Sequence, residues 1–354
     1  MIIASPDLAA FGWSLHFQRQ LTDADTDTDT GGVPARVVAV HRNRLDVAGP
    51  ALTGRIPLLA YSDEEDQAAA VGDWLIVDPG TQIPRRLLER TSLFKRKAAG
   101  TGERIQLIAA NVDTLFVVTS CNADFNVARL ERYLALAREA GVTPVVVITK
   151  ADMAEDTRPF LEAALKLMPG LLVECLDARD ARVSDILAPW CGVGQTVALV
   201  GSSGVGKSTL VNTLTGTAIA TAAIREADAH GRHTTTNRAM HRLAAGGWLI
   251  DTPGMREIQL LDVGEGIAEV FADIVELAVM CRFADCSHET EPGCAVRAAI
   301  AAGTLAPERL VRYRKLAREE SRNSEAIWKR RARERGFGKM VRNSLQDKRD
   351  RNGK

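Results

Sequence analysis

Gly201-Ser202-Ser203-Gly204-Val205-Gly206-Lys207-Ser208 fills every fixed position of the pattern G-x-x-x-x-G-K-[ST], a loop that needs a strand before it and a helix after it. Thr196-Val197-Ala198-Leu199-Val200 is an unbroken β-branched and apolar run, which reads as a buried parallel strand. Lys207 to Leu214 reads as the start of a helix. A glycine-rich turn in that setting lets backbone N–H groups face inward around phosphate oxygens, and the helix N-terminus adds partial positive charge behind them. Gly201 to Gly206 would form the cradle, Lys207 would neutralise the β and γ oxygens, Ser208 would hold Mg²⁺, and Thr209 would join the nucleotide contacts. The alternative, a glycine turn that binds nothing, is disfavoured by the full match in its context.

The order of the remaining nucleotide elements then constrains the fold. Trp248-Leu249-Ile250 is an apolar strand that ends in Asp251-Thr252-Pro253-Gly254, a D-x-x-G turn of the kind that contacts Mg²⁺ through water and senses a γ-phosphate. Two further βα units and a guanine-reading loop are still needed, and the chain after Gly254 soon meets a cysteine cluster at Cys281. Those units lie upstream. Val112 to Thr119 reads as a strand, Ala128 to Ala140 as an amphipathic helix, and Pro144 to Ile148 as a strand ending in Thr149-Lys150-Ala151-Asp152. The arrangement is that of a circularly permuted GTPase. The Asp152 carboxylate would accept from guanine N1–H and the exocyclic amine, a donor pair that adenine lacks, and Lys150 would lie along the base. Leu171 to Leu176 follows as a strand, and Asp177-Ala178-Arg179 stands where such a domain places a Ser-Ala-x turn. Ala178 could offer its N–H to guanine O6, while Asp177 and Thr149 replace the usual Ser and Asn.

Between the phosphate loop and the D-x-x-G turn lies Gly231-Arg232-His233-Thr234-Thr235-Thr236, which reads as switch I. Thr235 would complete Mg²⁺ coordination when a γ-phosphate is present. The residue after D-x-x-G is Met255, whose thioether cannot orient a water as a Gln would. His233 is the candidate catalytic group, able to hydrogen-bond or accept a proton near neutral pH, against the plainer role of an RNA contact or a loop brace.

The 354 residues, 46% of them hydrophobic, suffice for two or three domains with real cores. The first residues lack a basic region before an apolar one, and no stretch approaches a membrane span, so a cytoplasmic protein with no membrane contact is expected. Thr22 to Gly32 alternates Asp and Thr and reads as a flexible acidic loop. Its Asp-x-Asp-x-Asp spacing lacks the turn glycine and the Glu of a calcium site. From Ala35 to about Leu88, short β-rich runs at Arg36–Val40, Leu45–Val47 and Gly72–Asp78 suggest a five-stranded OB-type barrel. His41, Arg42, Arg44 and Arg55 are its candidate nucleic-acid contacts, or merely solvated charges. Gln106 to Asn111 reads as the entry to the GTPase unit.

A helical stretch from Gly264 to Met280 leads to Cys281, Cys286, His288 and Cys294, three soft sulfurs and an imidazole whose composition suits a closed, structural tetrahedral Zn²⁺ site. Cys121, Cys175 and Cys191 read as small buried hydrophobes. Residues 309–354 hold 17 Lys or Arg against 6 Asp or Glu. Their surplus of 11 offsets an equal deficit in residues 1–308, since the chain carries 45 of each sign. The run Arg330-Arg331-Ala332-Arg333-Glu334-Arg335 and Gly336-Phe337-Gly338-Lys339 suits a phosphate backbone better than a membrane, because its apolar residues are scattered.

Together these motifs resemble the ribosome small-subunit-dependent GTPase A (RsgA) family over nearly the whole chain, from Val71-Gly72-Asp73 and Ala110-Asn111-Val112-Asp113 to Glu291-Pro292-Gly293-Cys294-Ala295-Val296. The resemblance implies a multidomain protein with an N-terminal OB-type β-barrel (35–98), an α/β circularly permuted P-loop GTPase domain (99–263) and a C-terminal α-helical zinc-binding domain (264–320). An N-terminal segment (1–34) and a basic tail (321–354) flank them. It implies GTP/GDP, Mg²⁺ and one structural Zn²⁺, action as a monomer on the small ribosomal subunit and its rRNA late in maturation, and hydrolysis stimulated by that subunit. Lys207 and Ser208 would serve phosphate and Mg²⁺, Thr235 switch I and His233 catalysis. Two rivals remain: a non-enzymatic rRNA-binding module with a structural nucleotide pocket, and a permuted GTPase of large-subunit assembly, which would lack the barrel and the zinc cluster.

Overall fold

The computed structural model describes residues 6–27, 31–58, 68–97, 105–216, 238–251 and 262–324. The strands that fill the GTPase unit are β8 (Thr114–Ser120), β9 (Thr143–Thr149), β10 (Leu172–Cys175), β11 (Thr196–Gly201), β12 (Arg238–Arg242) and β13 (Trp248–Asp251). The N-terminal half supplies β1 (Val33–Val40), β2 (Arg44–Ala48), β3 (Gly54–Pro57), β4 (Trp74–Val77), β5 (Pro84–Leu87), β6 (Leu93–Lys97) and β7 (Ile105–Ala110).

β10, β9, β8, β11 and β13 lie side by side in parallel, and β12 joins that series as an antiparallel strand. Strands buried on both faces need apolar residues at successive positions, and β8 (TLFVVTS) and β9 (TPVVVIT) supply them. Alternation then divides the core. Leu115, Val117, Val146, Ile148, Ala198 and Val200 face one layer, built with Leu130, Tyr133 and Leu134 of the helix Val127–Glu139. Phe116, Val118, Val145, Val147, Val197 and Leu199 face the other, built with Leu210, Val211 and Leu214 of the helix Lys207–Thr215. The consequence for function is that the loops after β8, β9 and β11 gather at one edge, outside the carboxyl ends of the strands.

The β-rich N-terminal part contains the three expected runs together with two strands that lack an apolar signature, β3 (GRIP) and β5 (PRRL). All five are antiparallel in the order β3-β2-β1-β4-β5. The described pairings do not close β3 onto β5, so the structure gives a five-stranded antiparallel sheet here without establishing an OB-type barrel. This sheet is also continuous with the GTPase sheet, since β1 pairs with β12 at Ala39↔Ala239 and Val40↔Arg238. β7 does not open the GTPase sheet as expected. It pairs with β6, and Asn111, held at φ +55°, breaks the chain before β8 while its side chain bonds Thr91 and Gly72.

The acidic stretch after Thr22 differs from the expected flexible loop over its described part. Asp23–Thr26 forms one helical turn with a Thr22/Asp25 capping box, and Asp25 is buried against Arg86. The Asp25 carboxyl is held down at about 2: burial opposes this, but hydrogen bonds from Arg86 and Thr22 outweigh it. Ahead of that turn, Leu8, Trp13 and Phe17 pack on Trp74, Ile76 and Leu88, so this segment covers the outer face of β4.

At the C-terminal end, helical residues 307–324 follow the helices Gly264–Val270, Ala272–Val279 and Ala295–Ala301. Arg309 ties them to the GTPase unit. Its buried guanidinium donates to Asp273 at 2.5 and 2.9 Å, to Glu131 at 3.2 Å and to the Val270 carbonyl at 2.8 Å, and it stacks 4.8 Å from Phe271. Arg312 donates to the other Glu131 oxygen at 2.7 Å. These two cations, together with Arg314 and Arg318 on Glu289, are engaged with carboxylates, so the basic surplus counted from residue 309 overstates what is free for phosphate. Arg309→Ala should destabilise the chain by roughly 3 kcal/mol, because it strips one of two cations from the fully buried Glu131 carboxylate. Urea unfolding measures it, and a loss under about 1 kcal/mol would place the network outside the folding core.

Candidate nucleotide and metal sites

The phosphate loop leaves β11 at Gly201, where φ is +147° and an added Cβ would lie 2.2 Å from the Val118 carbonyl oxygen. Gly206, at φ +94°, turns the chain into the helix Lys207–Thr215. Glycine suits those torsions at both positions, and at Gly201 only glycine also permits that approach to β8, which is why the motif fixes them. Lys207 is buried at the first helical position, and its Nζ donates to the Gly201 carbonyl at 2.8 Å and to that of Ser202. The ammonium is therefore held over the loop that Ser203, Gly204 and Val205 complete, and Ser208 and Thr209 follow on the first turn.

The guanine-loop candidates meet this cradle from β9. Thr149 is fully buried, with Oγ1 3.0 Å from the Thr119 carbonyl and 2.5 Å from the Val205 carbonyl. Its hydroxyl links the two loops. Lys150 then takes φ +58°, turning the chain into the short 3₁₀ segment Ala151–Met153. That turn presents Asp152 beside Asp177-Ala178-Arg179, joining two motifs that lie 25 residues apart in sequence. Arg179 Nη2 donates to Asp152 Oδ2 at 2.7 Å and to Asp177 Oδ2 at 3.1 Å, and Nε donates to Asp177 Oδ1 at 3.1 Å. The guanidinium holds the Asp177 carboxyl below the ordinary carboxylate range. Ala178 is buried, and its carbonyl accepts from Thr213 of the phosphate-loop helix at 2.7 Å.

Asp251 ends β13 at the same edge, paired with Ala239 of β12. Gly254 of the D-x-x-G turn, Met255 after it, and His233 and Thr235 of switch I lie outside the described residues, as does the basic run Arg330–Lys339.

Cys281, Cys286, His288 and Cys294 converge, with their ligand atoms all within 4.8 Å of one another. Cys281 and Cys294 sulfurs are 3.9 Å apart, and His288 Nδ1 is 3.6 and 3.5 Å from them. A tetrahedral ion with bonds of about 2.3 Å to sulfur and about 2.0 Å to nitrogen needs edges of about 3.8 Å between sulfurs and about 3.5 Å between sulfur and nitrogen. The donor set and its spacing suit zinc. His288 sits at φ +60°, and the loop around it is braced by Glu291, whose carboxylate accepts from Ser287, Glu289 and Thr290 backbone N–H groups. Burial, then the nearby Arg314, pushes the His288 imidazole below its ordinary value and so favours the neutral, ligating form.

Sequence reasoning missed the Thr149 bridge, the Arg179 contact, the Glu291 brace and Arg129, which donates to Ser202 of the phosphate loop from the helix Val127–Glu139. Only Arg179 left a local signal, the alternation Asp177-Ala178-Arg179-Asp180-Ala181-Arg182. Among the nucleic-acid candidates, Arg42, Arg44 and Arg55 are exposed, and Asp46 pairs with both His41 at 2.9 Å and Arg55 at 3.3 Å. Among the described residues no helix is long and apolar enough to cross a membrane.

Comparison with known proteins agrees with this geometry. Residues 87–261 match the model of the RsgA GTPase family. Small ribosomal subunit biogenesis GTPase RsgA of Mesorhizobium japonicum is 54% identical over 325 residues, covering 91% of this chain and 92% of that protein. RsgA 2 of Vibrio parahaemolyticus, of the same name otherwise, is 50% identical over 99% of this chain and 96% of its own length. In fold, the chain is similar to YjeQ from Thermotoga maritima (TM-score 0.58, 24% identity, 80% of this chain and 96% of that one). It is likewise similar to YloQ, a circularly permuted GTPase (TM-score 0.59, 22% identity, 84% of this chain and 98% of that one). With β8, β9 and β10 preceding the strand of the Gly201–Ser208 loop in one mixed sheet, and with identity of this extent along nearly the full length, the chain belongs to the RsgA GTPase family.

Proposed function

We propose that this protein is a GTP hydrolase of small ribosomal subunit biogenesis, which binds the subunit and its rRNA and is stimulated by it. The observation that carries this reading is the meeting of the buried Lys207, the Thr149 bridge and the Asp152–Asp177 loop pair at one sheet edge. Gly201 to Gly206 bind the phosphates through backbone N–H groups, Lys207 neutralises their charge, and Asp152 reads the base, with Lys150 and Ala178 flanking it. Ser208 and Thr235 would hold Mg²⁺, with Asp251 and Gly254 sensing the γ-phosphate beside it, and the ion supplies charge neutralisation when bound. His233 positions the attacking water, a task Met255 cannot perform. Cys281, Cys286, His288 and Cys294 hold one structural Zn²⁺. The domains follow as an N-terminal segment (1–34), an OB-fold (35–98), the permuted GTPase domain (99–263), a zinc domain (264–320) and a basic tail (321–354), in a cytoplasmic monomer.

The test is turnover of the full chain with and without purified small subunits. Phosphoryl transfer depends on positioning and charge stabilisation, so the isolated protein should be slow and subunits should raise the rate by ~10²-fold or more. His233→Ala should spare GTP binding and remove most of the stimulated rate. Absence of hydrolysis in both conditions would favour the non-enzymatic rRNA-binding module. Stimulation by large subunits alone would instead assign the protein to their assembly.

A further inference from the structure

Asp152 is exposed, and its environment is asymmetric: Oδ2 accepts from Arg179 at 2.7 Å, and the same guanidinium is also fixed by Asp177. The backbone N–H of Arg179 also donates to Asp177 Oδ1 at 3.0 Å, which locks the local turn. Two other Asp-x-Arg pairs show what such a turn does by itself. Arg158 with Asp156, and Arg182 with Asp180, make the same paired contacts, and no second carboxylate is recorded for either guanidinium among the described residues. Arg179 alone of the three reaches across to another loop.

Asp177 can only accept hydrogen bonds when ionised, so it cannot itself hold the neighbouring carboxylate, and the two anions repel. The guanidinium between them removes that repulsion and supplies the donor. An ionised carboxylate offers about four lone-pair sites. The guanine N1–H and exocyclic amine need one on each oxygen, which leaves a further site on Oδ2 for Arg179. Arginine suits this position because its planar fork spans two acceptors with fixed geometry. Consistent with that bridging, Arg179 is held above its ordinary value by Asp177 first and by Asp152 next.

We propose that Arg179 is a specificity-determining positioning residue, which holds the Asp152 carboxylate in the orientation that accepts both guanine donors while Asp177 anchors its guanidinium. The proposal rests on Asp152 as the base reader. Its mechanistic content is that the exocyclic amine of guanine is recognised only when both Asp152 oxygens lie in the plane of the base, and that Arg179 sets this plane.

The experiment measures affinities of the full chain for GDP, for IDP, which lacks the exocyclic amine, and for ADP, by titration calorimetry at one fixed salt concentration. In the wild type, GDP should bind better than IDP, and ADP least. Arg179→Ala should weaken GDP roughly fivefold, the size an exposed ion pair supplies. IDP should weaken less, so the GDP-to-IDP preference shrinks while the thermal midpoint stays unchanged. Arg179→Lys should fail to restore the preference, since an ammonium cannot span both carboxylates. In an Asp152→Ala background, Arg179→Ala should add nothing. Affinity for GDP equal to or above wild type in Arg179→Ala would overturn the proposal, as would an equal loss for GDP, IDP and ADP. If Asp152→Ala keeps the preference for GDP over ADP, the base-reading role of Asp152 fails and the proposal with it. If Asp152→Ala loses that preference while Arg179→Ala behaves as wild type, only the role of Arg179 fails.

Discussion

Lys207→Ala is expected to lower affinity for GTP and GDP by roughly a hundredfold and to abolish hydrolysis with or without small subunits. The argument starts from placement. Lys207 is buried at the N-terminus of its helix, and Nζ is already aimed over the loop by its bonds to Gly201 and Ser202 carbonyls. A phosphate entering the cradle meets a pre-positioned charge rather than a mobile side chain, so little ordering entropy opposes the contact. Hydrogen bonds to charged groups contribute about 1.5–3 kcal/mol each, and loss of the upper value corresponds to about two decades in affinity. Folding should lose about 1–3 kcal/mol as well, because the buried Gly201 carbonyl is left without its Nζ donor. Calorimetric titration with GDP, alongside a thermal midpoint, separates the two effects. Wild-type affinity in the variant would mean that the loop binds phosphate through its backbone alone.

The contrast between Lys207 and its surroundings indicates what a sequence of this kind makes legible. Loops whose chemistry demands particular residues at fixed spacing are readable, because Gly201, Gly206 and Lys207 have no substitutes that keep the same torsions and charge. Apolar runs such as those of β8 and β9 are readable too, since burial on both faces leaves little room for polar residues. What escapes is set by proximity in space. β3 and β5 carry Gly-Arg-Ile-Pro and Pro-Arg-Arg-Leu, and only pairing with β2 and β4 makes them strands. The helical turn at Asp23–Thr26 forms in an acidic run because Arg86, 61 residues away, compensates the buried Asp25. Composition argued for disorder there, and one long-range ion pair outweighed it.

The same reasoning separates Arg309 from the basic surplus of residues 309–354 in which it was counted. A surplus of cations over a stretch says nothing of which ones face water, and Arg309 faces Glu131 and Asp273. The helix Val127–Glu139 consequently makes contacts at both ends of the molecule's working parts. Arg129 near its start reaches the phosphate loop, while Glu131 and Arg132 receive the C-terminal helix. One helix thus touches both the phosphate loop and the C-terminal helices.

The second large effect concerns the Cys281–Cys294 cluster. Purified protein should contain about one equivalent of zinc per chain, and Cys286→Ser or a strong chelator should remove it and open the segment from Cys281 to Cys294 to proteolysis. Between these residues the chain is mostly exposed and polar, so it has few apolar contacts with which to fold by itself. In isolated zinc-finger peptides the metal contributes about 10–16 kcal/mol of apparent binding free energy at neutral pH, and that energy is folding energy where no preformed site exists. Here part of the arrangement is independent of metal. Val296, Leu305 and Leu310 are buried in the main core, and Arg309 anchors the following helix. Unfolding on zinc loss should accordingly stop at the helix Ala295–Ala301 and leave the GTPase unit cooperative. Hydrogen exchange distinguishes the cases: protection should vanish in 281–294 and persist in β8 and β9. Metal analysis that finds no zinc, in protein whose 281–294 segment still resists protease, would show that Glu291 and its three backbone bonds suffice to hold this loop.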